Sequence, residues 1–307
     1  MKVNDGKYFE NLVKLLEKAI DPDSIVEHDV EIPILNSHKG ATTQCDIVIR
    51  TGKKPRETIT IVEVQDRTSK IKPNDFRGWI HKLSIIGAQH LICVSRQKFP
   101  ESIKEQASLS GNVIRLITLA EMTDDIPMSL MKSKFKIFHF NVLKIENLQP
   151  ILSEFELLKF GLSENDILKE FTIFDNIFSV DKSKMISLYF LCNQFVKEKE
   201  LINSGSEKIK LDLDEFFILA SGHFIKLGLE FDFTWSSKVE YVPFTILSYQ
   251  QDQYGILAWL MEGSYKGEKG TVWVKIPITR TGDIFHIRQI EHSMPVNSSL
   301  SIELKSD

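Results

Sequence analysis

The chain has 307 residues, of which 42% are hydrophobic and 26% charged. That length supports one large domain or two of ordinary size, and the composition is that of a globular protein rather than a disordered one. No apolar run approaches a membrane span and the opening MKVNDGKYFE lacks an apolar signal core, so neither membrane insertion nor secretion is expected. Cys45, Cys93 and Cys192 are widely spaced, which excludes a disulfide framework and a CxxC metal site and fits a reducing, cytoplasmic compartment.

The net charge of −4 argues against a nucleic-acid partner when taken alone, but it hides an asymmetry. Residues 1–120 carry 18 basic against 15 acidic side chains, and the remainder 20 against 27. Within the first part, residues 50–115 hold 13 basic and 6 acidic groups. A local excess of that kind can attract a polyanion even on an acidic molecule, although from charge alone a solvated surface is the favoured reading.

Residues 7–20 place Phe9, Leu12, Val13, Leu16 and Ile20 at helical spacing, and Asp21-Pro22-Asp23 stops the helix. SIVEHDVEIPIL alternates imperfectly through Ile25, Glu27, Val30 and Ile32 and predicts an edge strand. CDIVIR and the β-branched TITIVEVQ predict two more strands. Pro73-Asn74-Asp75 starts a helix that runs through Phe76, Trp79, Ile80, Leu83 and Ile86 to Gly87. HLICVS predicts a buried strand, Pro100 and Glu101 open a helix to about Leu109, and NVIRLITL predicts a last strand. The result is an αβββαβαβ unit over residues 1–120, of α/β class with a mixed sheet.

Residues 121–145 read as a connection, and 146–307 as an α+β accessory domain rich in antiparallel strands. In it, helices are expected at about 146–160, 163–172 and 181–200. A strand-rich stretch over 207–290 follows, with GSYKGEKG as a turn and SSLSIELKSD as a loosely held tail. This part carries many aromatic residues, among them Trp235, Tyr249, Trp259 and Trp273, but no readable motif. Sensing, dimerisation or binding of a protein or small ligand suits its acidic balance better than clamping DNA.

The chemistry concentrates on Asp46 and on IVEVQDR at 61–67. Residues two apart on a strand share a face, so Glu63 and Gln65 project together while Val62 and Val64 project into a core. Asp46 heads the neighbouring strand. On residue type alone it reads as a strand-entry residue, but a carboxylate within TITIVEV costs several kcal/mol if buried unpaired, so Glu63 calls for a metal, a partner or solvent. Two close carboxylates repel unless a divalent cation lies between them, and oxygen-only ligands suit Mg²⁺. Gln65 is balanced between a site residue and a strand-end polar residue. His28, His38, His81 and His90 lack metal-binding spacing, no phosphate-binding glycine loop occurs, and Ser84, Ser95 and Ser204 sit in no nucleophile-elbow context.

An acidic residue, a strand, then Glu-x-Lys on the next strand, within this order of elements, resembles the PD-(D/E)XK nucleases of the restriction-endonuclease-like fold. The Mrr-like branch is the most similar, over about residues 5–120. The resemblance includes GKYFENLV and FRGWIHKLSIIGAQHLICVS. It implies a metal-dependent DNA endonuclease acting in defence against foreign DNA, an antiviral setting, with Mg²⁺, or Mn²⁺ as substitute, held by Asp46, Glu63 and the Val64 carbonyl. Glu10 matches a first-helix Glu that borders the metal site. Gln65 stands where the family carries Lys, which polarises the attacking water; Gln brings a hydrogen bond without the charge.

The charge has candidate replacements nearby. Lys82 lies on the flank of the following helix, within reach of the strand edge, and Arg67 is suited to a bidentate phosphate contact. Arg67, Lys70 and Arg77 are the candidate DNA-phosphate residues. Double-strand cleavage by one site per chain implies a homodimer or two sequential nicks. Two other readings remain open: a catalytically silent nucleic-acid-binding module, and a nuclease gated by a partner or ligand on the C-terminal domain.

Overall fold

The computed structural model describes residues 6–37, 40–67, 69–163, 174–179, 181–198, 204–211, 216–220, 222–267, 270–293 and 298–303. The elements of the N-terminal part follow in the expected order. They are α1 (Gly6–Ile20), β1 (Ile25–Pro33), β2 (Thr42–Thr51), β3 (Thr58–Gln65), α2 (Pro73–Ile86), β4 (His90–Ser95), α3 (Glu101–Ser108) and β5 (Ile114–Glu121). The strands β1, β2 and β3 pair antiparallel, while β3, β4 and β5 pair parallel, so the sheet is mixed and β1 lies at its edge. This makes the protein α/β.

Two apolar layers cover this sheet. Phe9, Leu12, Val13, Leu15 and Leu16 of α1 bury against Ile47, Val62, Ile92, Val94 and Ile117 on one face. On the other, Phe76 and Ile86 of α2 and Ile103 and Ala107 of α3 bury against Ile61, Leu91, Cys93 and Leu116. Residues of β3, β4 and β5 alternate between the layers, as a sheet covered on both sides requires. Trp79 packs against the second layer as a core residue. Gly87 ends α2 in the left-handed region (φ 68°), its N–H donating to the Ser84 carbonyl. The left-handed backbone strains any residue with a Cβ at this position, and a Cβ there would also push the Leu35 side chain aside.

The expected domain boundaries are redrawn. The chain divides into one unit of Met1–Ser133 with Pro243–Ser293 and Leu304–Asp307, and another of Lys134–Val242 with Met294–Glu303. Strands β11 (Thr245–Gln251), β12 (Gly255–Gly267), β13 (Gly270–Thr281) and β14 (Ile284–Ile287) extend the first sheet beyond β5, and β15 (Glu291–Ser293) pairs with β13. The accessory domain expected over 146–307 is therefore not continuous. The free edge of β5 supplies the reason: β11 pairs with it antiparallel, Leu247 opposite Glu121, and Leu247, Tyr249, Ala258 and Leu260 complete the α1-side core. Ionisable residues divide accordingly into a net +1 for the first unit and −5 for the second, leaving the basic excess local to residues 50–115.

The short α4 (Met128–Met131) still belongs to the first unit; in the second, 134–152 forms one long strand, β6 (Lys134–Leu152), not a connection followed by a helix. Asn147 in the left-handed region (φ 52°) and Pro150 both oppose a helix there. Only α5 (Glu154–Phe160) is helical near the expected 146–160 segment. The helix expected at 163–172 falls outside the described residues apart from Ser163. The third, α6 (Leu188–Glu198), starts later than 181 because Asp181 Oδ1 accepts from both the amide and the hydroxyl of Ser183, closing a turn. With β7 (Phe178–Ser179), β8 (Gly205–Leu211), β9 (Phe217–Ala220), β10 (His223–Pro243) and β16 (Ser298–Glu303), β6 completes a second sheet. The tail expected to be loose is thus in part a strand, Ser298–Glu303 pairing with β6. Phe178, Cys192, Ile225, Phe231, Phe233 and Trp235 contribute to the core of this unit. Among the described residues no helix is long and apolar enough to cross a membrane.

Candidate active site

The β2–β3 ladder runs from Thr51 opposite Thr58 to Ile47 opposite Val62, and the next residues in that register are Asp46 and Glu63. Val62 belongs to the α1-side core and Val64 packs against it, so Glu63 and Gln65 project to the α2 side, as a two-residue period demands. Glu63 is 3% exposed. Its partner arrives from α2: Lys82 Nζ donates to Oε1 and Oε2, each at 2.7 Å. Asp46 turns toward β3, where its Oδ2 accepts from the Val64 amide at 2.8 Å.

These carboxylates perturb each other. Burial raises Glu63 to about 7 and the Asp46 charge pushes it the same way, against the ion pair with Lys82. Burial also raises Asp46, opposed by the Val64 amide bond and then by the charges of Lys82 and His28. Cys45 is pushed up to about 11 by burial, and Cys93, opposite Glu63 in the β3–β4 register, is pushed well above the usual thiol range; the Glu63 charge adds to both. Both thiols therefore stay protonated and apolar in character.

Glu10 enters from α1. Its Oε2 lies 2.6 Å from His28 Nε2, and its charge adds to the field at Glu63. His28 faces α1 because of a break in β1. Asp29 adopts the left-handed region (φ 58°) opposite Asp46 in the β1–β2 register, and the alternation flips there. Val26 packs on the α1-side core, whereas Val30 and Ile32 pack on the α2 side. This break explains the imperfect alternation of the segment. A metal-ligand spacing search passes over His28, and the interrupted period beside it is the signal that marks the position.

Gln65, 7% exposed, has its Oε1 buried without a hydrogen-bond partner. Beyond it Asp66 pairs with Arg96, whose guanidinium lies 4.2 Å from the centre of the Phe9 ring. Tyr8 donates to Glu262 of β12, and Lys275 of β13 lies 4.5 Å from the centre of the Tyr8 ring. These contacts bind the returning strands to α1, and nothing local in the sequence announces them. Asp46, Glu63, Lys82 and Glu10 are thus brought into one electrostatic cluster. Arg67 and Lys70 are exposed in the segment after β3, and Arg77 is exposed on α2 with its Nη1 bonded to Asn74 at 3.3 Å. Among the described residues none of the three bonds to the acidic pair.

Among the described residues no group of three or more His, Cys, Asp or Glu side chains is arranged to hold a metal ion. The donors at hand are two carboxylates and the Val64 carbonyl. Mg²⁺ commonly takes one or two carboxylates and fills its remaining positions with water and phosphate oxygens, so this oxygen-only set fits it. The mutual repulsion that helps raise Glu63 is the interaction a divalent cation relieves.

No protein-family model and no curated protein matches the sequence. One solved structure, described as that of a protein of unknown function, is similar over 36% of this chain and 57% of its own length, with 13% identity and a TM-score of 0.29. The match therefore spans little more than half of that chain.

Proposed function

We propose that the protein is a metal-dependent deoxyribonuclease of the restriction-endonuclease-like kind that hydrolyses phosphodiester bonds at the Asp46–Glu63 site. The observation that carries this reading is the pair of 2.7 Å hydrogen bonds from Lys82 Nζ to Glu63. The strand position that holds Lys in such nucleases holds Gln65 here, and an ammonium from the next helix stands beside the second acidic residue instead. An ammonium in that position can donate to an attacking water and stabilise negative charge developing on phosphorus-bound oxygen.

In this reading Asp46, Glu63 and the Val64 carbonyl hold a divalent cation, which supplies charge neutralisation and a more acidic water. Lys82 and Gln65 would orient an attacking water, Gln65 through the Oε1 that has no protein donor. Arg67, Lys70 and Arg77 hold the DNA backbone, so affinity falls steeply with salt.

Incubation with supercoiled plasmid and Mg²⁺ or Mn²⁺ tests the assignment. Nicked or linear product is expected from the native chain, with a loss of at least roughly 100-fold in Asp46→Ala, Glu63→Ala and Lys82→Ala. Cleavage that persists in the Asp46 and Glu63 variants overturns the site. Salt-sensitive binding without cleavage under either metal overturns the enzyme and leaves a binding module.

A further inference from the structure

We infer that His28 is a positioning residue of this site, acting through Glu10 to set how strongly the acidic cluster holds a divalent cation; the inference rests on the reading of Asp46 and Glu63 as cation ligands. Its basis is the way charge is arranged on the two faces of the sheet. On the α2 face, Lys82 holds Glu63. On the α1 face, His28 holds Glu10, with Nε2 and Oε2 2.6 Å apart and both side chains less than one-fifth exposed. Asp46, whose Oδ2 accepts from the Val64 amide, feels the charges of both Lys82 and His28.

The backbone is shaped to deliver His28 to this place. Had β1 kept its alternation through Asp29, residues on both sides of the break would serve one core; the left-handed Asp29 lets Val26 and His28 serve the α1 face while Val30 and Ile32 serve the other. A non-glycine residue in that region costs energy and persists where surrounding structure fixes it. Asp29 also pairs with Lys7 at 3.7 Å and accepts from the Gln44 amide, contacts that support the break.

Glu10 is a long side chain on the flank of a helix, and without a partner it samples several rotamers in solvent. A hydrogen bond from His28 Nε2–H fixes the carboxylate where its charge reaches Glu63. A third carboxylate held close to the pair strengthens the attraction for a cation, and outer partners of this kind commonly change metal affinity 10- to 100-fold.

Mn²⁺ binding followed by electron paramagnetic resonance on the full chain tests this without relying on cleavage. His28→Phe is expected to weaken Mn²⁺ binding about 10-fold, and His28→Gln, whose amide N–H takes the place of Nε2–H, to restore most of it. In a Glu10→Gln background, His28→Phe should change nothing further. Thermal melts of each variant identify a folding failure, and Glu10→Gln, which leaves β1 intact, then carries the comparison by weakening binding alone. Equal binding by native chain, His28→Phe and Glu10→Gln overturns the role of His28 while leaving the cation site standing. No binding by the native chain overturns the cation site itself, and with it the inference.

Discussion

The hydroxyl of Tyr249, on a strand that returns late in the chain, donates a 2.5 Å hydrogen bond to Oε1 of Glu17 on the first helix, and both residues are buried. Burial raises both groups, so the phenol stays protonated and remains the donor. Tyr249→Phe removes that donor and leaves Glu17 in an apolar layer. Urea denaturation should show a loss of about 1–3 kcal/mol, the usual cost of orphaning a buried polar group. Tyr249→Phe combined with Glu17→Leu should recover part of it.

Glu63 makes stability depend on pH. Its folded value near 7 lies above the unfolded value near 4.5, so the native state holds a proton that the unfolded chain has released between those limits. Its contribution is therefore fully present below pH 4.5 and is lost as pH rises through 7. Compared with Glu63→Gln, which does not titrate, the native chain should lose up to about 3 kcal/mol across that window. Denaturation midpoints of the two proteins measured from pH 4.5 to 8 should diverge with rising pH and then run parallel. Parallel curves throughout would count against the raised value.

The ion pair between Lys82 and Glu63 has 20% and 4% side-chain exposure. Removing one member of a buried pair typically costs 3–5 kcal/mol because the other charge stays behind. Lys82→Met should cost about 3 kcal/mol at pH 8 and less at pH 5, where Glu63 takes up a proton instead. A double-mutant cycle with Glu63→Gln should give a coupling energy well above the 0.5 kcal/mol seen for independent sites.

Gln65 separates stability from activity. Its buried Oε1 has no partner, so the native fold gains little from it. Gln65→Leu should leave the thermal midpoint unchanged or higher and lower plasmid cleavage at least roughly 10-fold. Unaltered cleavage would remove Gln65 from the proposed water-orienting role.

The N-terminal elements were legible because their signals are local. Pro73 and Gly87 bracket α2, TITIVEVQ carries β-branched density, and the helical phase of residue 82 against the apolar stripe places Lys82 on the flank from which it reaches Glu63. His28 was not legible as a partner of Glu10 because its side depends on a left-handed turn at Asp29; the interrupted period marks the position without saying which face His28 takes. The return of residues 243–293 to the first sheet was hidden for a different reason. An antiparallel strand reads the same whichever sheet accepts it, and the acceptor, β5, lies far back in the chain. The β6 segment failed as a helix because its apolar residues satisfy both periods until Asn147 and Pro150 are weighed.

The pairing of Leu247 with Glu121 carries a consequence for synthesis. On a ribosome the first five strands emerge with the outer edge of β5 unpaired, and that edge is covered only after the entire intervening module has been made. Long-range antiparallel pairing of this kind forms slowly and exposes a sticky edge meanwhile. The α1-side core, which Leu247, Tyr249, Ala258 and Leu260 complete, thus closes late in translation, whereas Glu63 and Lys82 lie on elements made well before those strands.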